Sequence, residues 1–214
     1  MTVVLLKGFV LGFIFSVIMV PGTVWCVQVT RRYGLRAGLA AALGITLGQG
    51  AWITTSVALM AVLWMLPLQS ELTWIFRVLA ALTLVYMALV MFRARRADSL
   101  DCPVLPGGAS RIFRGTMAVS MGMPMRFFGY MAFCVAAGLE DHLPNQPGHA
   151  LMVVVGAVCG TAVWWLYMVT LARVFGRRVP ERISLRSINK LNPLGGGILL
   201  LVAVMTLLPL LARG

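Results

Sequence analysis

Acidic side chains are scarce in this 214-residue chain: six Asp and Glu stand against 18 Lys and Arg, and charged residues of all kinds make up 11%. The six acids, Glu71, Asp98, Asp101, Glu140, Asp141 and Glu181, lie between apolar stretches or at their edges. A proton relay through buried carboxylates, or a charge-paired site for a cationic ligand, is therefore disfavoured. Histidine is rarer still, with His142 and His149 in one short connection, and Cys26, Cys102, Cys134 and Cys159 are scattered with no CxxC. No metal site and no disulfide framework is indicated. Phosphate-binding glycine loops and Ser-His-Asp arrangements are missing too, so neither a cofactor nor an enzymatic activity is expected.

What the chain has in abundance is apolar sequence: 60% of its residues are hydrophobic and the mean hydropathy is +0.93. That exceeds what a soluble core hides, and excludes an ordinary water-soluble domain. Crossing the hydrocarbon takes about 20 mostly apolar residues. Windows of this kind fall at 3 to 25, 37 to 66, 72 to 92, 113 to 138, 149 to 172 and 192 to 211. The expected fold is an all-α integral membrane protein with six transmembrane helices in a single membrane domain. No small-x-small cleavage site follows the first window, which reads as a retained span rather than a signal peptide.

The net charge of +12 follows from topology rather than from a nucleic-acid partner. Three connections hold fourteen of the basic residues: Arg31, Arg32 and Arg36; Arg93, Arg95, Arg96, Arg111 and Arg114; and Arg173 through Lys190. Basic residues in short loops stay on the cytoplasmic side, so both termini are expected outside, with the basic loops against anionic head groups.

The connection at 97–110 carries Cys102-Pro103 and Leu105-Pro106-Gly107-Gly108, a flexible composition that divides the chain into a half at 1–96 and a half at 111–214. With three helices in each, the second half is inverted relative to the first if both derive from one unit. Both halves open with a proline-bearing span: Val20-Pro21-Gly22-Thr23 in the first, Gly122-Met123-Pro124-Met125 in the fourth. Proline removes a backbone donor and clashes one turn back, so each motif is expected to interrupt its helix and free carbonyls inside the membrane.

Arg126 stands two residues beyond Pro124, deep in its window. A cation at such depth costs about 3 kcal/mol on insertion scales and by default faces protein or water. Its expected role is to hold a carboxylate, of a substrate or of a lipid. Among the neutral polar residues, Gln49 and Tyr130, the latter one turn after Arg126, are the best candidates to line a pathway. Thr46, Ser120 and Thr161 read first as ordinary interhelical hydrogen-bonding residues, and the tryptophans as anchors or packing residues. Gly34, Gly38, Gly44 and Gly48 leave one face of the second window nearly bare, and Gly8 with Gly12 and Gly156 with Gly160 repeat the spacing. Such faces serve close helix packing first, and a homodimer seam second.

The Pro21-Gly22 motif, the run Gly34-x3-Gly38-x5-Gly44-x3-Gly48, the basic segment Phe92-Arg93-Ala94-Arg95-Arg96 and the position of Pro124 are similar to the lysine exporter (LysE/RhtB) family of amino-acid translocators. The likeness spans nearly the whole chain and is strongest from about residue 8 to 96. It departs where the family commonly has Pro-Gly-Pro followed by Asn, here Pro21-Gly22-Thr23-Val24, and where it commonly has Asn-Pro-Lys, here Met123-Pro124-Met125. The resemblance implies export of amino acids or similar small metabolites from a bacterial cytoplasm through the inner membrane, by proton antiport. The substrate-binding set expected from the residues and the resemblance together is Pro21, Gly22, Thr23, Gln49, Pro124, Arg126 and Tyr130, with neutral substrates favoured. Two other classes stand beside it: a six-helix membrane redox protein using Cys26 and Cys134, and a membrane scaffold that transports nothing.

Overall fold

The computed structural model describes residues 1–18, 20–63, 69–93, 108–139, 147–175 and 181–211, with side chains given throughout these ranges except at 20, 21, 24, 69–73, 147, 181–192 and 209–211. The described residues form eight helices and no strand: α1 (Thr2–Ile18), α2 (Val20–Tyr33), α3 (Leu35–Leu63), α4 (Gln69–Arg93), α5 (Ala109–Met121), α6 (Met125–Ala136), α7 (Pro147–Phe175) and α8 (Glu181–Leu211). Three stretches are long and apolar enough to cross a membrane, Leu35–Leu63, Trp74–Arg93 and Gly148–Phe175. Thr2–Ile18, Met125–Ala136 and Pro193–Leu208 are shorter apolar helices. Large apolar side chains such as Leu43, Leu47, Leu82, Leu151 and Leu201 face outward, the surface a lipid-embedded bundle presents. The linker core at 97–107, with Cys102, lies outside the described residues, as does His142.

Glycine decides which helices meet. The α1 and α7 pair is the most extensive contact in the molecule, and it is backbone against backbone. A methyl on Gly8 or Gly12 would overlap the carbonyls of Val153 or Ala157, and one on Gly156 or Gly160 would overlap those of Leu5 or Phe9. On α3, Gly44 and Gly48 admit α5 in the same way: a Cβ at Gly48 would lie 2.5 Å from that of Ser120. Thus α1 packs on α7 and α5 on α3, while α3 also meets α7 and α4 meets α8. Gly38 admits the Thr30 side chain of α2. Gly34 departs from the packing role expected of it. It sits at the α2–α3 corner with φ +83° and open space around its Cα, a left-handed conformation that glycine adopts without strain.

The fourth apolar window is two helices. Helix α5 ends at Met121, the Gly122 N–H donating to Ala118 O at 2.8 Å, and α6 starts again after Pro124. Helix α6 in turn ends in a Schellman motif: Leu139 N–H donates to Cys134 O and Gly138 N–H, at φ +60°, to Val135 O, which satisfies carbonyls that lipid could not. Lys7 Nζ completes the cap with a 3.0 Å bond to Ala137 O. The segment Val20–Thr23 behaves otherwise. All four residues are helical, so the interruption expected at Pro21 does not appear in these four; residue 19, between α1 and α2, lies outside the described residues.

The buried apolar residues fall into two clusters. One gathers Leu11, Phe15, Ile53, Met60, Leu84, Tyr130, Phe133, Val153 and Leu199. The other gathers Cys26, Val29, Ala41, Ile45, Ile112, Trp165 and Val169.

Candidate functional site

Between the two clusters runs a layer of buried polar side chains. Along α3 the apolar residues belong to the second cluster up to Ile45 and to the first from Ile53 onward, and Thr46 and Gln49 stand at the change. Along α7 the change falls between Ala157 and Trp164, with Thr161 in the gap, and from α5 to α6 it falls between Ile112 and Tyr130, with Thr116, Ser120 and Arg126 in the gap. Gln49 is the fifteenth of 29 residues in α3, and Thr161 the fifteenth of 29 in α7. The layer therefore crosses the middle of both long helices.

Contacts around the layer form a closed circuit. Arg126 is 4% exposed, and one of its terminal nitrogens donates to Ser120 O at 3.2 Å and to Ser120 Oγ. Trp52 Nε1 donates to the same Ser120 carbonyl at 3.2 Å, and Ser120 Oγ donates to Ile45 O at 3.2 Å. Ser120 abuts Gly48, the neighbour of Gln49. Gln49 Oε1 accepts from Trp165 Nε1 at 2.9 Å and from Ser16 Oγ at 3.4 Å. Ser16 and Thr161 both donate to Gly12 O, at 2.8 and 3.3 Å. Tyr130 lies beside Thr161 and within electrostatic reach of Arg126, its ring 4.0 Å from that of Phe15. Arg126 and Tyr130, four residues apart on α6, share one face of that helix.

The end of α5 explains why the cation sits there. A helix leaves its last carbonyls unpaired, and inside a membrane each needs a donor. Arg126 and Trp52 supply donors to Ser120 O, and the positive charge lies at the negative end of the α5 dipole. The side chains of all six acids lie outside those described. The Nε–H of Arg126 is buried without a partner, as are Gln49 Nε2 and Thr23 Oγ1. Native interiors leave few such atoms, and each one requires an explanation.

Of the residues anticipated from the sequence, Gln49, Arg126 and Tyr130 come together in the layer. Thr23 is fully buried. Gly22 serves a different purpose: a Cβ there would lie 2.7 Å from the Trp165 ring, so the glycine is a shelf for the indole that holds Gln49. Pro124 is exposed, and its effect is on the backbone, where it separates α5 from α6. The Pro21 side chain lies outside those described. Ser120 and Thr161 were read from the sequence first as ordinary interhelical hydrogen-bonding residues and Trp165 as an anchor or packing residue, and Ser16 was not singled out, because serine, threonine and tryptophan have ordinary roles in any membrane helix. The position of Ser120 six residues before Arg126, across a Gly-Met-Pro break, was the available signal.

Cys26 and Cys134 carry no disulfide and belong to different apolar clusters. No group of three or more His, Cys, Asp or Glu suited to a metal occurs among the described residues. No family model, no curated protein and no solved structure matches this chain.

Proposed function

We propose that the chain is a secondary exporter of amino acids or similar small metabolites, working by proton antiport in a bacterial inner membrane with both termini outside. The observation that carries this reading is a buried arginine whose Nε–H has no partner, in a polar layer that crosses the middle of the bundle beside a broken helix. A carboxylate is the ligand such a group takes, and membrane transporters build substrate sites where discontinuous helices meet near the midplane.

In this reading the six apolar windows are six spans, with α1–α2 and α5–α6 as corresponding broken or proline-bearing spans of two inverted halves. The packing supports it by its exchange pattern: the first span of each half lies on the middle span of the other, α1 on α7 and α5 on α3. The two central helices have equal length and carry their polar residues at equal depth. The lysine-exporter resemblance supports it independently. Substrate carboxylate would displace Ser120 from Arg126, and rocking of the halves would carry the layer from one face to the other.

The test is to feed cells a mixture of dipeptides and follow intracellular metabolites by mass spectrometry, with and without the protein. A selective fall in one or a few small metabolites, lost in Arg126→Ala at equal membrane levels, is expected. An unchanged metabolite profile with the protein in the membrane overturns the proposal.

A further inference from the structure

Helix α6 is the short rod of the bundle: its 12 residues measure about 18 Å, against about 30 Å of hydrocarbon. A joint bounds it at either end. Before it, Gly122 N–H donates to Ala118 O, Arg126 N–H to Met123 O and Phe127 N–H to Pro124 O, so no backbone hydrogen bond runs from α6 to α5 among the described residues. After it, Gly138 turns the chain at φ +60°. The frame beside the rod is built differently. Glycines lock α1 to α7 and α5 to α3 against opposing backbone, with the Phe113 carbonyl 2.5 Å from a Cβ at Gly44. Helix α5 meets no helix but α3 among the described residues. On α6 the atoms nearest a Cβ at Gly129 are side-chain ends instead, the Phe15 ring at 2.7 Å and the Met87 sulfur at 3.2 Å. Side chains yield by changing rotamer, whereas backbone moves only with its helix.

Two hydroxyls of the frame reach α6, and each has an acceptor within the frame. Ser56 owns one hydrogen, shared between Phe127 O of α6 at 3.1 Å and Trp52 O of its own helix at 2.8 Å. Thr161, beside Tyr130, has Gly12 O at 3.3 Å. What fastens the rod is a cation at each end. Arg126 donates from the first turn of α6 to Ser120 of α5, and Lys7 Nζ donates from α1 to Ala137 O at the far end, at 3.0 Å. Both acceptors are neutral. A carboxylate replaces Ser120 on Arg126 with a stronger bond, and Lys7 and Ala137 are each partly exposed, so that their bond is open to exchange. Resting on the exporter reading for what is admitted, we infer that α6 is the gate of the polar layer, held closed by Arg126 at one end and Lys7 at the other. Lys7 is a positioning residue, setting through α6 where Arg126 stands. A substrate carboxylate that draws Arg126 from Ser120 frees the inner end, and the rod swings on its joints before the halves rock.

Spin-label distances test this on the full-length protein in lipid nanodiscs, by double electron–electron resonance with the native cysteines replaced by serine. One pair joins rod to frame, Phe128→Cys on α6 with Val174→Cys on α7. A control pair lies within the frame, Val3→Cys on α1 with Val174→Cys; all three positions are exposed. Lys7→Met and Arg126→Gln each remove one fastening. Each is expected to raise the open population in the rod-to-frame distances about tenfold, the scale of one charge-assisted hydrogen bond, and the two together to raise it further. Lys7→Arg keeps a donor for Ala137 O and is expected to return the parent distribution. The frame distance is expected to stay the same in every variant. An unchanged rod-to-frame distribution in the double variant, or a frame distance that shifts with it, overturns the inference. If Arg126→Gln does not reach the membrane, Lys7→Met against Lys7→Arg decides: equal distributions overturn the gate. The metabolite experiment above is read separately. A parent that exports while the rod stays fixed in the variants keeps export and defeats the gate, whereas a rod that moves in a protein that exports nothing keeps the gate and defeats export.

Discussion

The opening segments of the two halves do the same packing job with different interiors. Both α1 and α5 lie against the middle helix of the opposite half through glycine. In the α1–α7 pair glycines face backbone from both sides, and the described polar atoms there, Ser16 Oγ and Thr161 Oγ1, are spent on the Gly12 carbonyl. In the α5–α3 pair Thr116 and Ser120 of α5 fill the space that Gly44 and Gly48 of α3 leave. The prolines differ likewise. Val20–Thr23 is helical, and Pro21 lies within α2, whereas Pro124 lies between α5 and α6, beside a helix end that draws in Arg126. One segment is framework and the other carries the charge, so an inverted pair of segments need not share the chemistry.

The framework is where the largest effect is expected. Gly12→Val drives a branched side chain into the Ala157 backbone, which cannot retreat without moving α7; a loss of about 3 kcal/mol or more follows from such overpacking. Gly48→Val meets the Ser120 Cβ at 2.5 Å, a less severe overlap than that of a Gly12 Cβ with the Ala157 carbonyl, so its loss should be the smaller of the two. Gly197, with nothing within 4 Å, is the control, and Gly197→Ala should leave stability unchanged. Thermal unfolding of the three variants in detergent gives the order directly; if Gly48→Val is the most damaging, the division into frame and charged segment fails.

Next in size is the cation. Arg126→Ala removes a buried charge and leaves Ser120 O with Trp52 as its remaining donor. Export per folded molecule should fall by about tenfold or more, the scale set by losing a charge-assisted contact. Melting should change less than in Gly12→Val. Ser16→Ala, on the α1 side, serves as the contrast: Gly12 O keeps Thr161 and Gln49 keeps Trp165, so flux should stay within about twofold. Equal losses from the two variants would place the chemistry in both segments.

The prolines sharpen the same contrast. Pro124→Ala restores a backbone N–H in the α5–α6 break and favours a continuous helix, which would turn Arg126 away from Ser120. Pro21→Ala acts in backbone that is already helical. Flux should fall severalfold in the first and stay near the parent in the second. A fall in Pro21→Ala equal to that in Pro124→Ala would show that both segments need their proline.

Much of the fold was legible from periodicity-free apolar runs, because a membrane helix needs only length and hydropathy. Each of the six windows overlaps one or two of the eight described helices, three stretches of which are long and apolar enough to cross a membrane, and the glycine spacings at Gly8, Gly12, Gly44, Gly48, Gly156 and Gly160 foretold close approach. Gly34 was misread because four-residue spacing is the same whether a glycine packs or turns a corner. Its neighbours Arg31, Arg32 and Arg36 already placed it near a helix end. Arg126 stood out by the cost of its charge. Ser120, Trp165 and Ser16 did not, since the value of each depends on a partner 33 to 116 residues away or across a helix break. No local pattern encodes that pairing.

The smallest effect should come from the thiols. Cys26 lies in one apolar cluster with Val29 and Ala41, and Cys134 in the other with Tyr130 and Phe133. Replacing both by serine buries two hydroxyls in place of two weakly polar groups, at a cost of about 1–3 kcal/mol each at most. Exchange of a sulfur for an oxygen moves no group in the polar circuit, so flux per folded molecule should match the parent. The measurement is export by Cys26→Ser/Cys134→Ser normalised to membrane-inserted protein, with and without a thiol oxidant. A flux that collapses in the variant, or that responds to oxidant only in the parent, would return chemistry to both halves and revive the redox reading.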